Sequence, residues 1–385
     1  MPITLHPVQS EADKRTFYKF AFRVYRNDPN WVPHLWSQRK NYLDKKAAFF
    51  SYGEGEFWLA KDGNETVGTI GTAVDHPRNR DMNWKAAHFG FFEVLPNRYD
   101  AAQAMWDHAC QWARAHGMDE LIGPYSFAGN DEQGFLVEGF DYFPPVMAGH
   151  NPPHYPQYAE EYGFHKSELG DWVAYRFDLS TINFDMNNSP EALRKIAARA
   201  IQRHGGISVR SPKMKDWDAE IPRLHAVYNK SLAVLPEFSP IELAEFKSQA
   251  EGLREIIDPD LVFIAMVDGR AVGFALGLPN VTEALKHANG LQSPLDTLRF
   301  LLARRRIRSA SFKIMAMDPA YWGYGLDAIM YLEMGKAVIR KGYTWVDASV
   351  TGETNPQTNK LLTRVGAYVY RRYREYRLEL DEIKT

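Results

Sequence analysis

The sequence predicts an α/β fold of mixed sheets, α+β in character, built twice in tandem along one chain. Three repeated features carry that expectation: a hairpin, a strand–proline–helix–glycine–strand order, and an Asn-Pro segment that closes on a glycine. The hairpin reads FWLAKDGNETVGTIGTAVD at 57–75 and VFIAMVDGRAVGFALGLPN at 262–280. Each copy has two apolar runs joined by an Asp-Gly turn, with Val-Gly opening the returning strand at Gly68 and Gly273.

A strand ending in proline follows in both copies, FGFFEVLP to Pro96 and FKIMAMDP to Pro319. The next segments have helical spacing, with Met105, Ala109 and Trp112 on one face in the first copy and Met330, Met334, Ala337 and Val338 in the second. Gly117 and Gly342 stop those helices, and the apolar strands DELIGPY and TWVDASV come next. Asn151 to Gly163 and Asn355 to Gly366 complete the two copies. The second copy carries ~18 extra residues before its proline, predicted as a helix within EALKHANGLQSPLDTLRFLLARRR. The polar stretch STINFDMNNSPE near 180–190 marks the boundary, giving an N-terminal unit over 1–182 and a C-terminal unit over 190–385.

Composition limits the partners. A chain of 385 residues with 45% apolar content can give each unit a core. Its 46 Lys+Arg against 48 Asp+Glu leave no global field for nucleic acid or an anionic membrane, so neither is expected as a partner. The single cysteine, Cys110, permits no internal disulfide and makes zinc built on thiolates unfavourable. MPITLHPVQSEADKR lacks the basic start and apolar core of a secretion signal, so a cytoplasmic setting is expected. His150 and His154 stand four apart, but Pro152 and Pro153 between them argue against a regular helix, and no metal site is read there.

The residues with chemical content lie in MDPAYWGYGLDAIMYLEM. Gly323 and Gly325 let the chain turn tightly between a strand and a helix, leaving several N–H groups from Trp322 through Tyr324 to Leu326 pointing outward at a helix N-terminus, an anion cradle suited to a pyrophosphate. With the strand and proline before it, and Asn355 and Gly366 after it, this arrangement resembles the GCN5-related N-acetyltransferase (GNAT) superfamily. The resemblance covers nearly all of residues 1–380, in the manner of a bacterial tandem GNAT-like subgroup.

The resemblance implies that the loop at Gly323 and Gly325 grips the coenzyme A pyrophosphate and that a backbone amide around Met317 polarises the thioester carbonyl. Two positions depart from the family pattern: Ala320 stands where Arg or Gln is usual, and Leu362 where many members have the tyrosine proposed to protonate the leaving thiolate. The first copy runs LPNRYDAAQAM from strand to helix without the glycines, yet keeps Tyr158 near the tyrosine position. Its coenzyme A loop therefore reads as degenerate.

Glu353 and Asp347, at or after the end of a strand near the cleft, are the candidate bases; Glu353 also reads as a helix cap and Asp347 as an ion-pair partner. Asn355 reads equally as a cap or a ligand contact. Arg304, Arg305, Arg306 and Arg308 read as a solvated helix end or as a contact for the ribose phosphate. The expected activity is N-acyl transfer, with acetyl-CoA or another acyl-CoA as co-substrate, no metal, and a small-molecule or peptide amine as acceptor. Two other classes stay open: an acyl-CoA-binding pseudoenzyme, and an aminoacyl-transferase, against which the absence of a basic groove counts.

Overall fold

The structure, a computed structural model, describes residues 2–127, 132–179, 191–234, 240–254, 256–364 and 366–382, so the boundary expected at 180–190 lies outside the described residues. The first half contains β1 (Thr4–Pro7), α1 (Glu11–Val24), α2 (Trp36–Leu43), β2 (Gly53–Asp62), β3 (Glu65–Asp75), α3 (His76–Met82), β4 (Ala86–Val94), α4 (Tyr99–Ala115), β5 (Glu120–Gly123), β6 (Phe135–Glu138), α5 (His154–Tyr162), β7 (His165–Lys166) and β8 (Trp172–Asp178). The second half contains α6 (Glu191–Arg203), β9 (Ile207–Arg210), α7 (Trp217–Leu232), α8 (Leu243–Leu253), β10 (Val262–Val267), β11 (Arg270–Pro279), α9 (Thr282–Leu285), α10 (Pro294–Arg304), β12 (Ser309–Met317), α11 (Leu326–Arg340), β13 (Trp345–Gly352), α12 (Pro356–Arg364), β14 (Tyr368–Arg374) and β15 (Tyr376–Glu379).

The repeat is visible in the shared order of hairpin, proline strand, helix and parallel strand. The Asp-Gly hairpins are β2–β3 and β10–β11, and their tight turns need the left-handed backbone found at Gly63 (φ 58°) and Gly269 (φ 77°). The helices after the proline strands are α4 and α11. Each lays its apolar face on a sheet: Met105, Trp106, Ala109 and Trp112 of α4 are buried, as are Met330, Met334, Ala337 and Val338 of α11. Trp106 stacks flat on Phe92 at 4.7 Å, which adds a directional aromatic contact to the apolar burial. The extra residues of the second copy form α9 and α10 between β11 and β12.

Each copy builds a mixed sheet with one parallel pair at its centre. The orders are β1-β2-β3-β4-β5-β15-β7 and β6-β14-β8-β13-β12-β11-β10-β9. Among the described residues, β4–β5 is the parallel pair of the first sheet and β12–β13 that of the second. Both orders trade strands across the chain. β15, from the extreme end of the sequence, pairs with β5 and β7, while β6 and β8 from the first half flank β14 in the second sheet. The terminal stretch YRRYREYRLEL is thus two strands in two different sheets, divided at the buried Glu375.

The junction is polar and is bonded largely through long side chains. Fully buried Arg371 donates to the carbonyls of Tyr142 (3.4 Å) and Gly149 (3.2 Å) and meets His150 Nδ1 at 3.0 Å, while His150 Nε2 meets Asp28 at 2.7 Å. Its two terminal nitrogens are taken up in this way, while its Nε has no partner among the described residues.

Candidate functional site

The site is built where β12 hands over to α11. Asp318 caps the short turn after the strand by accepting from the Ala320 amide (3.0 Å); the Trp322 amide donates to the Pro319 carbonyl (3.1 Å) and the Tyr324 amide to the Tyr321 carbonyl (3.3 Å), so these two amides, expected in the cradle, are taken by the turn itself. Gly323 and Gly325 then take φ of 81° and 80°, a conformation that a side-chain-bearing residue enters only at a cost. The two glycines serve different ends. A Cβ at Gly323 would meet no heavy atom within 4 Å, whereas one at Gly325 would lie 3.0 Å from Ala200 Cβ and 3.1 Å from Ile196 Cγ2 of α6. Gly323 opens the loop outward; Gly325 lets α6 close against it.

Gly325 is the N-cap of α11 and no side chain caps it, so the first-turn amides have no intrahelical acceptor. They form the positive end of a helix of 15 residues, the arrangement that favours a phosphate. Trp322 is 52% exposed, with its indole N–H held by the Met317 carbonyl at 3.2 Å. Tyr324 stacks on His204 at 4.3 Å. Beside the loop, β12 and β13 pair only from Ser309–Ser311 to Trp345–Asp347 and then part. β12 bulges at Lys313, the residue skipped between the Gly277–Phe312 and Leu276–Ile314 pairs.

Asp347 closes that parallel pairing and is fully buried. Its carboxylate accepts from Ser311 Oγ, from Lys313 Nζ (3.2 Å) and from Tyr370 OH (3.0 Å). Glu353 lies elsewhere, in an ion-pair cluster that ties the two sheets together. It accepts from Lys166 of β7 (2.6 Å), the Asp171 amide (2.9 Å) and Arg372 of β14 (2.9 Å). The Lys166 hydrogen bond, then the Asp171 amide, hold its carboxyl below the ordinary range. Held between β7 and β14, it anchors one sheet to the other.

Asn355 accepts from the Thr358 amide at 3.3 Å and donates to Thr351 Oγ1 at 3.3 Å, the bonding of a helix cap at the start of α12. Leu362 is buried against Val173, Tyr175 and Ala367, so an apolar side chain occupies the place of the family tyrosine. Tyr158 packs edge-on to Tyr99 (5.4 Å) and His154 (5.0 Å) near the start of α4. His150 and His154 do not converge: the second meets the Val94 carbonyl at 3.4 Å.

The first sheet holds a polar cluster that sequence reasoning missed. Glu93, beside a bulge at Phe91 (φ 49°), accepts from Tyr155 OH at 2.7 Å, and the same hydroxyl accepts from the Val94 amide at 2.8 Å. Val94 is the counterpart of Met317, so in the first copy this strand amide is bonded internally to a phenol. Desolvation pushes the Glu93 carboxyl up to about 7, against the opposing Tyr155 hydrogen bond. A cavity of about 20 Å³, lined by Glu93, His34, Arg39, Trp31 and Phe91, has room for about one water. A strongly apolar strand, FGFFEVLP, with one carboxylate in it was the signal available in the sequence.

No protein-family model matches the chain. Among solved structures, a tandem GNAT protein from the clavulanic acid biosynthesis pathway is similar with a TM-score of 0.59 at 13% identity, over 99% of this chain and 100% of that one. A GCN5-related N-acetyltransferase from Sphaerobacter thermophilus gives 0.54 at 13% identity, over 98% and 96%. Two curated proteins align nearly end to end. Protein YghO of Escherichia coli (strain K12) is 28% identical over 375 residues, 96% of this chain and 93% of its own length. Bacterial ceramide synthase of Caulobacter vibrioides (strain NA1000 / CB15N) is 28% identical over 384 residues, 97% of each.

Proposed function

We propose that this chain, which folds as two GNAT units in tandem, is an N-acyltransferase that moves an acyl group from a coenzyme A thioester to the amine of a long-chain amino alcohol. The observation that carries the chemistry is the open glycine loop at the uncapped N-terminus of α11, beside the parting of β12 and β13. The acceptor class comes from the end-to-end likeness to a ceramide synthase, a ceramide being the amide of a fatty acid and such an amino alcohol. That likeness favours a long acyl group over the acetyl group first expected.

In this reading the amides of Gly323, Gly325 and Leu326 bind the donor's pyrophosphate, with Trp322 and Tyr324 beside it. The strand amide at Met317 polarises the thioester carbonyl. The neutral amine attacks the carbonyl carbon, the C–S bond breaks, the amine gives up one proton and the thiolate takes one. Asp347 is the carboxylate proposed to handle the amine's proton, through Ser311 and Lys313; Glu353 is left to its ion pairs and Tyr158 to the first copy. Asn355 holds α12 in place.

Buried Leu362 favours a second reading, a protein that binds acyl-CoA without turnover. One assay separates them: coenzyme A release from an acyl-CoA series of two to long-chain carbons, with and without a saturated long-chain amino alcohol. Release that needs both a long acyl chain and the amino alcohol, and that disappears in Gly323→Glu, is the expected result. Tight donor binding without release from any acceptor leaves the binding protein; release only from acetyl-CoA with short amines restores the acetyltransferase.

A further inference from the structure

We propose that α10 docks this protein on the anionic interface of a lipid bilayer. Ser293 and Pro294 start the helix, with Ser293 Oγ accepting from the Asp296 amide at 3.3 Å. Its inner side is anchored by Phe300, which packs against the buried cluster of Val146, Leu278 and Val281. The outer side is exposed among the described residues: Leu295, Leu298, Leu301 and Leu302 are 55%, 52%, 52% and 58% exposed. Steps of three, three and one place these leucines on one face. Single exposed leucines are ordinary on a protein surface, but four contiguous on one short helix mark a surface that meets something apolar.

The surroundings say what it meets. Arg299, Arg304, Arg305, Arg306 and Arg308 are all exposed around the leucines. Arg299 pairs with Asp296 at 3.3 Å, and among the described residues no carboxylate pairs with the other four. Beside the helix lies a groove of about 750 Å³ whose lining includes Lys286, His287, Arg299 and Arg306. Glu283 also lines it, but its oxygens are taken by the Arg308 amide (2.9 Å) and Ser309 Oγ. An apolar stripe rimmed by unpaired cations matches the boundary between acyl chains and anionic headgroups. The near-cancelling charge of the whole chain, which led to no membrane partner being expected, averages this local patch away.

A second copy of the chain is the competing occupant, and two quantities disfavour it. A helix of 11 residues is about 16 Å long, too little for the ~800 Å² per partner of a stable interface. Pairing by two-fold symmetry would also bring the arginine rims together. At that length α10 cannot span a bilayer, so it would lie in the interface. The inference goes beyond the acyl-transfer reading and does not depend on it.

The test is flotation of the full chain with vesicles of phosphatidylcholine alone or equimolar with phosphatidylglycerol, at low and high salt. Expected is binding to the anionic vesicles that weakens with salt, falls about tenfold or more in Leu298→Ser/Leu302→Ser, and loses its salt dependence in Arg304→Gln/Arg305→Gln/Arg306→Gln. Circular dichroism and denaturant unfolding of each variant show whether the rest of the molecule is intact, and acyl-CoA titration of the wild type and the leucine variant reads the donor site separately. Absence of wild-type binding, or equal binding by a folded leucine variant, overturns the proposal. So does a wild-type dimer that the leucine variant converts to monomer without any vesicle binding. Leucine-dependent vesicle binding without acyl-CoA binding would instead remove the donor reading and leave docking in place.

Discussion

At the scale of single residues, the two loop glycines can be told apart by experiment. Gly323→Ala adds only the left-handed backbone penalty, about 1–2 kcal/mol, because its Cβ meets nothing within 4 Å. Gly325→Ala adds to the same penalty contacts at 3.0 and 3.1 Å with Ala200 and Ile196, so α6 must shift. The expected outcome is a larger loss of unfolding free energy for Gly325→Ala in denaturant titrations, with Gly323→Ala keeping acyl-CoA binding nearer to the wild type. Equal losses would mean that α6 does not press on the loop. Glu93 allows a pH test. Its folded pKa, about 7, lies above the 4.5 of an unperturbed carboxyl, so the folded state binds the proton more tightly than the unfolded one. The resulting stability is fully present below about pH 4.5 and is lost as pH rises through about 7. Glu93→Gln, which can still accept from Tyr155, is expected to flatten the fall in stability across that window, measured by denaturant unfolding at several pH values. An unchanged slope would show that Glu93 titrates as an ordinary carboxyl.

At the scale of elements, what could be read from the sequence was what the chain encodes locally. The hairpins at Asp62 and Asp268 and the helices after Pro96 and Pro319 follow from period and turn chemistry, which need only neighbouring residues. The glycine loop was legible for the same reason, since a tight turn before a helix demands left-handed backbone at fixed positions. The bases were not. Glu353 is occupied by Lys166, which lies 187 positions away, and Asp347 by Ser311, 36 positions away; no local pattern announces such partners. The Glu93 cluster was hidden likewise, because Tyr155 stands 62 positions along. In the helix within the second-copy insertion, apolar spacing fixed its existence but gave no sign that its leucine face would be left uncovered, since that depends on which elements pack around it. The last segment shows the limit most sharply: YRRYREYRLEL is one unbroken stretch of sequence, yet each of its two pieces pairs in a different sheet.

At the scale of the whole molecule, that strand exchange makes the two copies dependent on each other. β15 lies inside the first sheet, hydrogen-bonded to β5 on one side and β7 on the other, and Leu378 and Leu380 belong to the first core. β8 lies inside the second sheet between β14 and β13, with Val173 and Tyr175 packed on Leu362. Cutting the chain between residues 182 and 190 therefore leaves the first piece with an open edge at β5 and the second without the strand that joins β13 to β14. Open edges of this kind pair with other chains and aggregate. Neither piece, 1–182 or 190–385, is expected to fold alone, whereas the two co-expressed should assemble into a soluble one-to-one complex, because every pairing can still form between them. Expression of each piece separately and together, followed by sizing of the soluble fraction, checks this. A soluble 190–385 that unfolds cooperatively by itself would show that the second copy does not need β8, and that the exchange joins two independent domains.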